Sequence, residues 1–248
     1  MNVAALTNDS RTVLESFGER KQIRYPLLSD PDSKVIRAFG ILNTNIPSDD
    51  KVYGIPFPGT YIVDSGGIVR AKFFEQDHRE RYSAGSVLFH YFSDDTGQAR
   101  TTIETKHLKL TVSASDAVVH AGNRVALALD VELKPHIHVY APEVGDGYIP
   151  VNWKMAAAKG WLALEASYPK ARSINLPAIR ETALVYEGRF RIVRDLIIGQ
   201  NRDVQPLLDD GKLTVEGAFR YQACDEKMCY RPQTIPVKWT FRLAPQER

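Results

Sequence analysis

The sequence predicts an α/β layer followed by an all-β antiparallel sandwich. Three observations carry this: helical and strand-like patterns alternate up to Phe92, the polar stretch Ser93–Thr101 (SDDTGQART) lacks apolar periodicity, and short alternating apolar runs dominate afterwards. At 248 residues the chain exceeds the usual single-domain size, so two domains are the better reading, although one large sandwich would also fit. The expected division is a first domain over 1–95 and a sandwich over 101–248, with the linker in the polar stretch.

In the first domain, Val3–Leu6 is a short apolar run that reads as a strand. Asn8, Asp9 and Ser10 then offer N-cap side chains for a helix over Arg11–Lys21. After YPLLSDP, the segment SKVIRAFGI suggests a short helix with Ser33 at its N-cap and Gly40 as its stop. Thr60–Val63 and Ile68–Phe74 are β-rich runs around Asp64-Ser65-Gly66-Gly67, a hairpin signal. RYSAGSVLFHYF is expected to close this layer as a helix.

Beyond the linker come HLKLTVSA, RVALALDVEL, HIHVYAP, VNWKM, LALEASYP, ALVYEGRFRIVRDLII, KLTVEGAFRYQAC and TIPVKWTFRL. Nearly all are short, alternating and separated by Gly, Pro, Asn or Asp, so seven or eight antiparallel strands are expected.

Bulk properties exclude several classes. A net charge of +2 with basic residues spread along the chain lacks the concentrated footprint of a nucleic-acid binder. No segment approaches the roughly 18–20 apolar residues of a membrane span, and the N-terminal stretch has no basic region followed by an apolar one. A soluble chain without an export signal of its own is the expectation. No Gly-x-Ser-x-Gly elbow or phosphate-cradling glycine loop supports a hydrolase or kinase.

Chemistry concentrates at Cys224 and Cys229, the only two cysteines. Strand-like runs flank them, so they are expected beside a hairpin turn whose four-residue connection permits a bond. A reactive thiolate needs help, because an ordinary cysteine titrates near about 8.5. Arg220, Lys227 and Arg231 favour the thiolate and Asp225 and Glu226 oppose it, so an activated partner thiolate attacking the disulfide is favoured over a strongly acidic cysteine here. The alternatives are a staple worth about 2 kcal/mol across so short a loop, or two free thiols. Zinc needs four ligands in a structural site, and only two cysteines exist. His136 and His138 alternate and are expected to share a strand face, a spacing that suits a metal, but no further ligands are in view. Asp209-Asp210-Gly211 reads as turn chemistry, and Pro58 as either an active-site loop proline or a plain turn residue.

Tyr221-Gln222-Ala223-Cys224, then Cys229-Tyr230 and Pro232, resembles the N-terminal periplasmic domain of the thiol:disulfide interchange protein DsbD family, over about residues 101–246. His136-Ile137-His138-Val139-Tyr140 resembles that family's aromatic-rich early strand, and Val185-Tyr186-Glu187-Gly188 the start of a strand after a protective cap loop. The resemblance implies an immunoglobulin-like sandwich in which Cys224 and Cys229 exchange, the second forming the mixed disulfide. It places Tyr140, His138, Tyr221 and Tyr230 beside the pair and a cap around Leu176, Glu181 and Leu184. The family's membrane and thioredoxin-like domains are not in this chain, so electrons must come from another molecule.

Over about residues 2–92, Tyr25-Pro26-Leu27-Leu28-Ser29-Asp30, Val35–Gly40 and Pro58–Asp64 resemble the later part of the redoxin/peroxiredoxin (AhpC/TSA) family. This implies a thioredoxin-like layer lacking its first strands. The peroxide-attacking cysteine would precede the segment that starts here, and no cysteine occurs before Cys224, so no peroxidase activity is expected of this polypeptide. Either the native protein begins further upstream, where an export signal and a catalytic cysteine would lie, or this half-domain has lost catalysis; the abrupt start on a strand favours the first.

The leading expectation is therefore a thiol-disulfide oxidoreductase or electron relay, periplasmic or extracytoplasmic if such a signal exists. It would need no cofactor and would work with a thioredoxin-like or other thiol-disulfide partner, with no nucleic acid; homo-oligomerisation is left open. A non-catalytic interaction module with a structural disulfide, and a peroxiredoxin-like antioxidant completed upstream, are the alternatives.

Overall fold

A computed structural model describes residues 2–75, 80–92, 100–176 and 181–245. The chain divides into two compact units, Met1–His78 and Arg79–Arg248.

In the first unit, β1 (Ala5–Thr7) pairs in parallel with β2 (Leu27–Ser29) through the crossover helix α1 (Arg11–Lys21). Ser10 caps α1 by accepting the Val13 N–H, as its position suggests. The second helix, α2 (Lys34–Ala38), is capped differently from the expectation. Ser33 sits at φ 53° and donates its hydroxyl to the Gly54 carbonyl, while the Asp30 carboxylate accepts the Lys34 and Ile36 amides. The longer reach of Asp30 captures the free helix donors that Ser33, turned into the left-handed region, does not. Gly40 at φ 68° ends the segment, as expected. Strands β3 (Gly59–Val63) and β4 (Val69–Phe74) form the anticipated hairpin. Asp64 organises its turn by accepting the Gly66 and Ile68 amides. Pro58 lies where the hairpin ends, its carbonyl accepting the Glu75 amide.

The second unit begins earlier than the polar stretch suggested. Strand β5 (Arg81–Tyr82) pairs in parallel with β9 (Asn123–Leu133), and α3 (Ala84–Phe92) packs on the same strand through Phe89, Ala126 and Ala128. His90 and Arg124 both reach Asp195, at 2.6 and 2.8 Å. The expected closing helix forms, but it covers the sandwich because Phe89 finds its apolar partners there.

The remaining elements are β6 (Thr101–Glu104), β7 (Leu108–Ala114), β8 (Val118–Val119), β10 (His138–Tyr140), β11 (Asn152–Met155), β12 (Trp161–Ser167), β13 (Arg172–Leu176), β14 (Glu181–Glu187), β15 (Arg189–Ile198), the one-turn helix α4 (Asn201–Val204), β16 (Leu208–Asp209), β17 (Lys212–Tyr221), β18 (Ala223–Cys224) and β19 (Gln233–Leu243). One sheet has the order β12-β15-β9-β7-β6, and a second the order β11-β17-β19-β8. Between them lies a continuous core that includes Leu110, Leu127, Leu129, Ile192, Phe219, Trp239 and Phe241. The Trp239 indole N–H donates to the Ser113 carbonyl at 2.8 Å, tying the two sheets together. This is the expected antiparallel, immunoglobulin-like sandwich. ALVYEGRFRIVRDLII proves to be two strands, because Gly188 at φ 64° reverses the chain between β14 and β15. Val185–Gly188 therefore ends a strand where the resemblance placed a beginning. Among the described residues no helix is long and apolar enough to cross a membrane.

A third sheet, ordered β13-β14-β10-β18, positions the site. Its two faces follow from strand period two. Val139, Tyr186 and Ala223 point into the main core, while Tyr140, Ala183, Val185 and Cys224 form a separate small cluster.

Candidate redox site

Strands β17 and β19 form one long hairpin, paired from Lys212↔Arg242 to Tyr221↔Gln233. The cysteines lie in the excursion between these strands rather than on their sheet. After Tyr221 the chain crosses to the third sheet, where Ala223 and Cys224 pair with Val139 and His138. It returns through Cys229, whose backbone bridges Cys224. The Cα atoms are 4.0 Å apart and the sulfurs are bonded.

Local hydrogen bonds hold this loop. Tyr230 N–H donates to the Ala223 carbonyl, Asp225 N–H to the Met228 carbonyl, and the Gln222 amide to the Tyr230 carbonyl. The Asp225 carboxylate accepts the Lys227 and Met228 amides, each at 2.8 Å, and the Tyr230 hydroxyl at 2.6 Å. Chiefly through the Tyr230 hydroxyl, these donors pull the Asp225 pKa down to about 2. Asp225 is thus a turn former, and its charge is spent on the loop's own donors.

The two cysteines differ in exposure. Cys224 is 1% exposed, packed with Tyr140, Ala183 and Val185, whereas Cys229 is exposed. The Tyr140 hydroxyl lies 3.5 Å from Cys229 Sγ and 3.7 Å from Cys224 Sγ, so its O–H is the donor aimed at the bond. Burial raises the Tyr140 pKa, which keeps that proton in place.

The other expected residues are not all brought together. His138 pairs directly with Cys224 and meets the Tyr140 ring edge-on at 5.7 Å. His136, however, lies outside the strand at φ 63°, exposed and 4.0 Å from Glu226. The two histidines do not share a face, because β10 starts only at His138 and the preceding turn reorients the chain. Among the described residues no cluster of three or more His, Cys, Asp or Glu side chains could hold a metal. Tyr221 is in the main core, its hydroxyl bonded to Thr105 and Gln233, and it supports the hairpin rather than the sulfurs. Tyr230, next to Cys229 in the chain, sets its ring against His107 at 4.4 Å and donates its hydroxyl to Asp225.

The segment expected as a cap is the hairpin of β13 and β14, with Leu176 opposite Glu181; the tip, 177–180, lies outside the described residues. Leu184 packs on the main core, and its neighbours Ala183 and Val185 face Cys224 instead. Alternation dictates this once Val185 is set opposite Tyr140. Glu181 accepts a 2.6 Å hydrogen bond from Tyr148, whose ring lies 4.5 Å from that of Tyr140. This bond pushes the Tyr148 pKa up to about 12. Sequence reasoning left Ala183 unmarked within the cap, read Val185 only as part of a strand start, and missed Tyr148 and His107. The alternation of ETALVYE carried a signal for the first two, without saying which face meets the cysteines.

Comparison with known proteins matches the AhpC/TSA family over residues 1–72 and the family described as thiol:disulfide interchange protein DsbD, N-terminal, over residues 109–239. Among solved structures, the N-terminal domain of DsbD from Neisseria meningitidis in its reduced form is 14% identical, with 55% of this chain and 87% of that chain covered and a TM-score of 0.36. The N-terminal periplasmic domain of ScsB from Proteus mirabilis is 12% identical, with 58% and 50% covered and a TM-score of 0.37. The yeast GGA1 GAE domain is 8% identical, with 57% and 99% covered and a TM-score of 0.31. No curated protein sequence matches the chain. Through the match that spans its sandwich and its bonded cysteine pair, the chain belongs to the family of the DsbD N-terminal domain.

Proposed function

We propose that this chain relays electrons by thiol-disulfide exchange at Cys224 and Cys229. The observation that carries this is the asymmetry of the pair: Cys229 is exposed, Cys224 is buried, and a tyrosine hydroxyl is aimed at both sulfurs. A structural staple gains nothing from an exposed sulfur, whereas exchange requires one.

In the reducing half-cycle, a partner thiolate attacks Cys229 Sγ in line with the S–S bond. That bond breaks, a mixed disulfide forms at Cys229, and the electron pair leaves on Cys224, where the Tyr140 hydroxyl stabilises the thiolate by donation. A second thiol of the partner then attacks the mixed disulfide and releases Cys229. The partner leaves oxidised, and the dithiol carries two electrons to an acceptor disulfide. The donor and acceptor are thioredoxin-like or other thiol-disulfide proteins, in an oxidising, extracytoplasmic compartment where such a bond persists. The first unit contains no cysteine and takes no part in the sulfur chemistry.

Equilibration in glutathione buffers, with the dithiol fraction read by alkylation and mass spectrometry, tests this. A midpoint between about −120 and −270 mV, the range of exchange proteins, is expected. A value below about −300 mV would sink the proposal in favour of a staple.

A further inference from the structure

We propose that His138 accepts the proton of the buried Cys224 thiol when the dithiol closes to the disulfide. This deepens the exchange function and rests on it. The argument begins with position. His138 is the Cα partner of Cys224 across β10 and β18, a pairing that sets the two Cβ atoms roughly 5 Å apart on one sheet face. The residue is 8% exposed, and its Nε2 is buried without a hydrogen-bond partner. An orphaned ring nitrogen in a folded interior is costly, unless it serves chemistry in another state of the site. Such a state exists, because opening the bond places a thiol beside it.

The surroundings favour the neutral imidazole that a proton acceptor must be. Burial lowers the His138 pKa, opposed by Glu187, its Cα partner on β14, and by Asp225 beyond β18. The other titratable or charged groups on this face are Tyr140, Cys224, Glu181, which accepts from Tyr148, and Arg172, which pairs with Glu187 at 3.1 Å. Tyr140 keeps its proton, so it donates to a thiolate but does not accept from a thiol. Cys224, packed among Ala183 and Val185, lacks the solvent that would take its proton. Glu187 is paired with Arg172 and Asp225 with its own loop's donors, which leaves His138 for that task.

The step runs from the mixed disulfide of Cys229 with a partner sulfur. His138 takes the proton from Cys224, the resulting thiolate attacks Cys229 Sγ, and the Cys229–partner bond breaks. The electron pair leaves on the partner sulfur, so the partner is reduced and the pair oxidised. The proton on His138 then passes to water or to the departing thiolate.

The test follows closure of the dithiothreitol-reduced full chain by oxidised glutathione, using acid quench and mass spectrometry from about pH 5 to 10. The wild-type rate is expected to hold from neutral pH down to the histidine range and then fall as His138 is protonated. In His138→Gln, closure at pH 6.5 should be about 100-fold slower, the lower end of general-base effects. Its rate should climb with pH until it meets the wild type where the thiol ionises unaided. A pH-independent offset, the mark of a packing defect, would overturn the proposal, as would unchanged rates. So would loss of the low-pH limb in Tyr140→Phe with His138→Gln unaffected. Should Gln unfold the site, His138→Phe keeps an aromatic ring there, and a wild-type profile without an inflection in the histidine range refutes the proposal without any variant. Failure of the exchange function shows separately, as a glutathione equilibrium that never populates the dithiol.

Discussion

The sandwich core and the redox corner are built on opposite terms. In the core, Trp153, Phe219, Trp239 and Phe241 bury almost all their surface among aliphatic strands, and Trp239 meets its one polar requirement at Ser113. In the corner, a handful of residues surround the bonded sulfurs, His138 and His107 are buried with ring nitrogens unpartnered, and Cys229 is left open. The two are separated by one sheet, whose strands send Val139, Tyr186 and Ala223 to one and Tyr140, Val185 and Cys224 to the other. Stability is concentrated where large apolar side chains pack together, and reactivity where a bonded sulfur pair is only half covered.

This contrast can be broken first in the core. Phe219, fully buried and stacked on Tyr221, should cost about 3–5 kcal/mol when changed to Ala, read as a lower urea midpoint. A loss below about 1 kcal/mol would mean that the core is looser than its burial implies.

Removing the bond should cost less, about 2 kcal/mol for a loop this short. Here the two cysteines should differ. Cys224→Ala leaves an exposed thiol at 229 that iodoacetamide modifies quickly, and Cys229→Ala leaves a buried one that reacts slowly. Equal labelling rates would erase the asymmetry on which the exchange direction depends.

The smallest effect belongs to Asp225. Its folded pKa, about 2, is below the unfolded value of 3.8, so its contribution is complete above the unfolded value and disappears as pH falls from there towards 2. In that window the Lys227 and Met228 amides should lose protection from hydrogen exchange in the wild type. In Asp225→Asn they should show no such acid step; an identical step in both would place the loop's order elsewhere.

Much of the architecture was legible where local rules decide it. Helix Arg11–Lys21 begins beside its capping serine, the hairpin of 59–74 turns on Asp64 and Gly67, and the alternating runs after residue 101 became the sandwich strands. The cysteine pair was legible too, since five positions and flanking strands permit a bond. Less legible was anything that depends on which surface a segment meets. Helix Ala84–Phe92 formed as its pattern suggested, but Phe89 found Ala126 and Ala128 on β9. The spacing of His136 and His138 fits a shared face only if both are in a strand, and a left-handed turn at His136 prevents that.

By itself, then, the sequence determined the element types, the two families it resembles and the one place where sulfur chemistry could occur, because caps, turn residues, periodicity and cysteine spacing are short-range properties. Only the tertiary structure decided that Ala223 and Cys224 leave their hairpin for a third sheet, that Cys224 is covered and Cys229 open, and that His138 stands opposite the buried sulfur. Those are outcomes of strand register between segments up to 86 positions apart (224 − 138), and register is set by which faces the whole sandwich can bury.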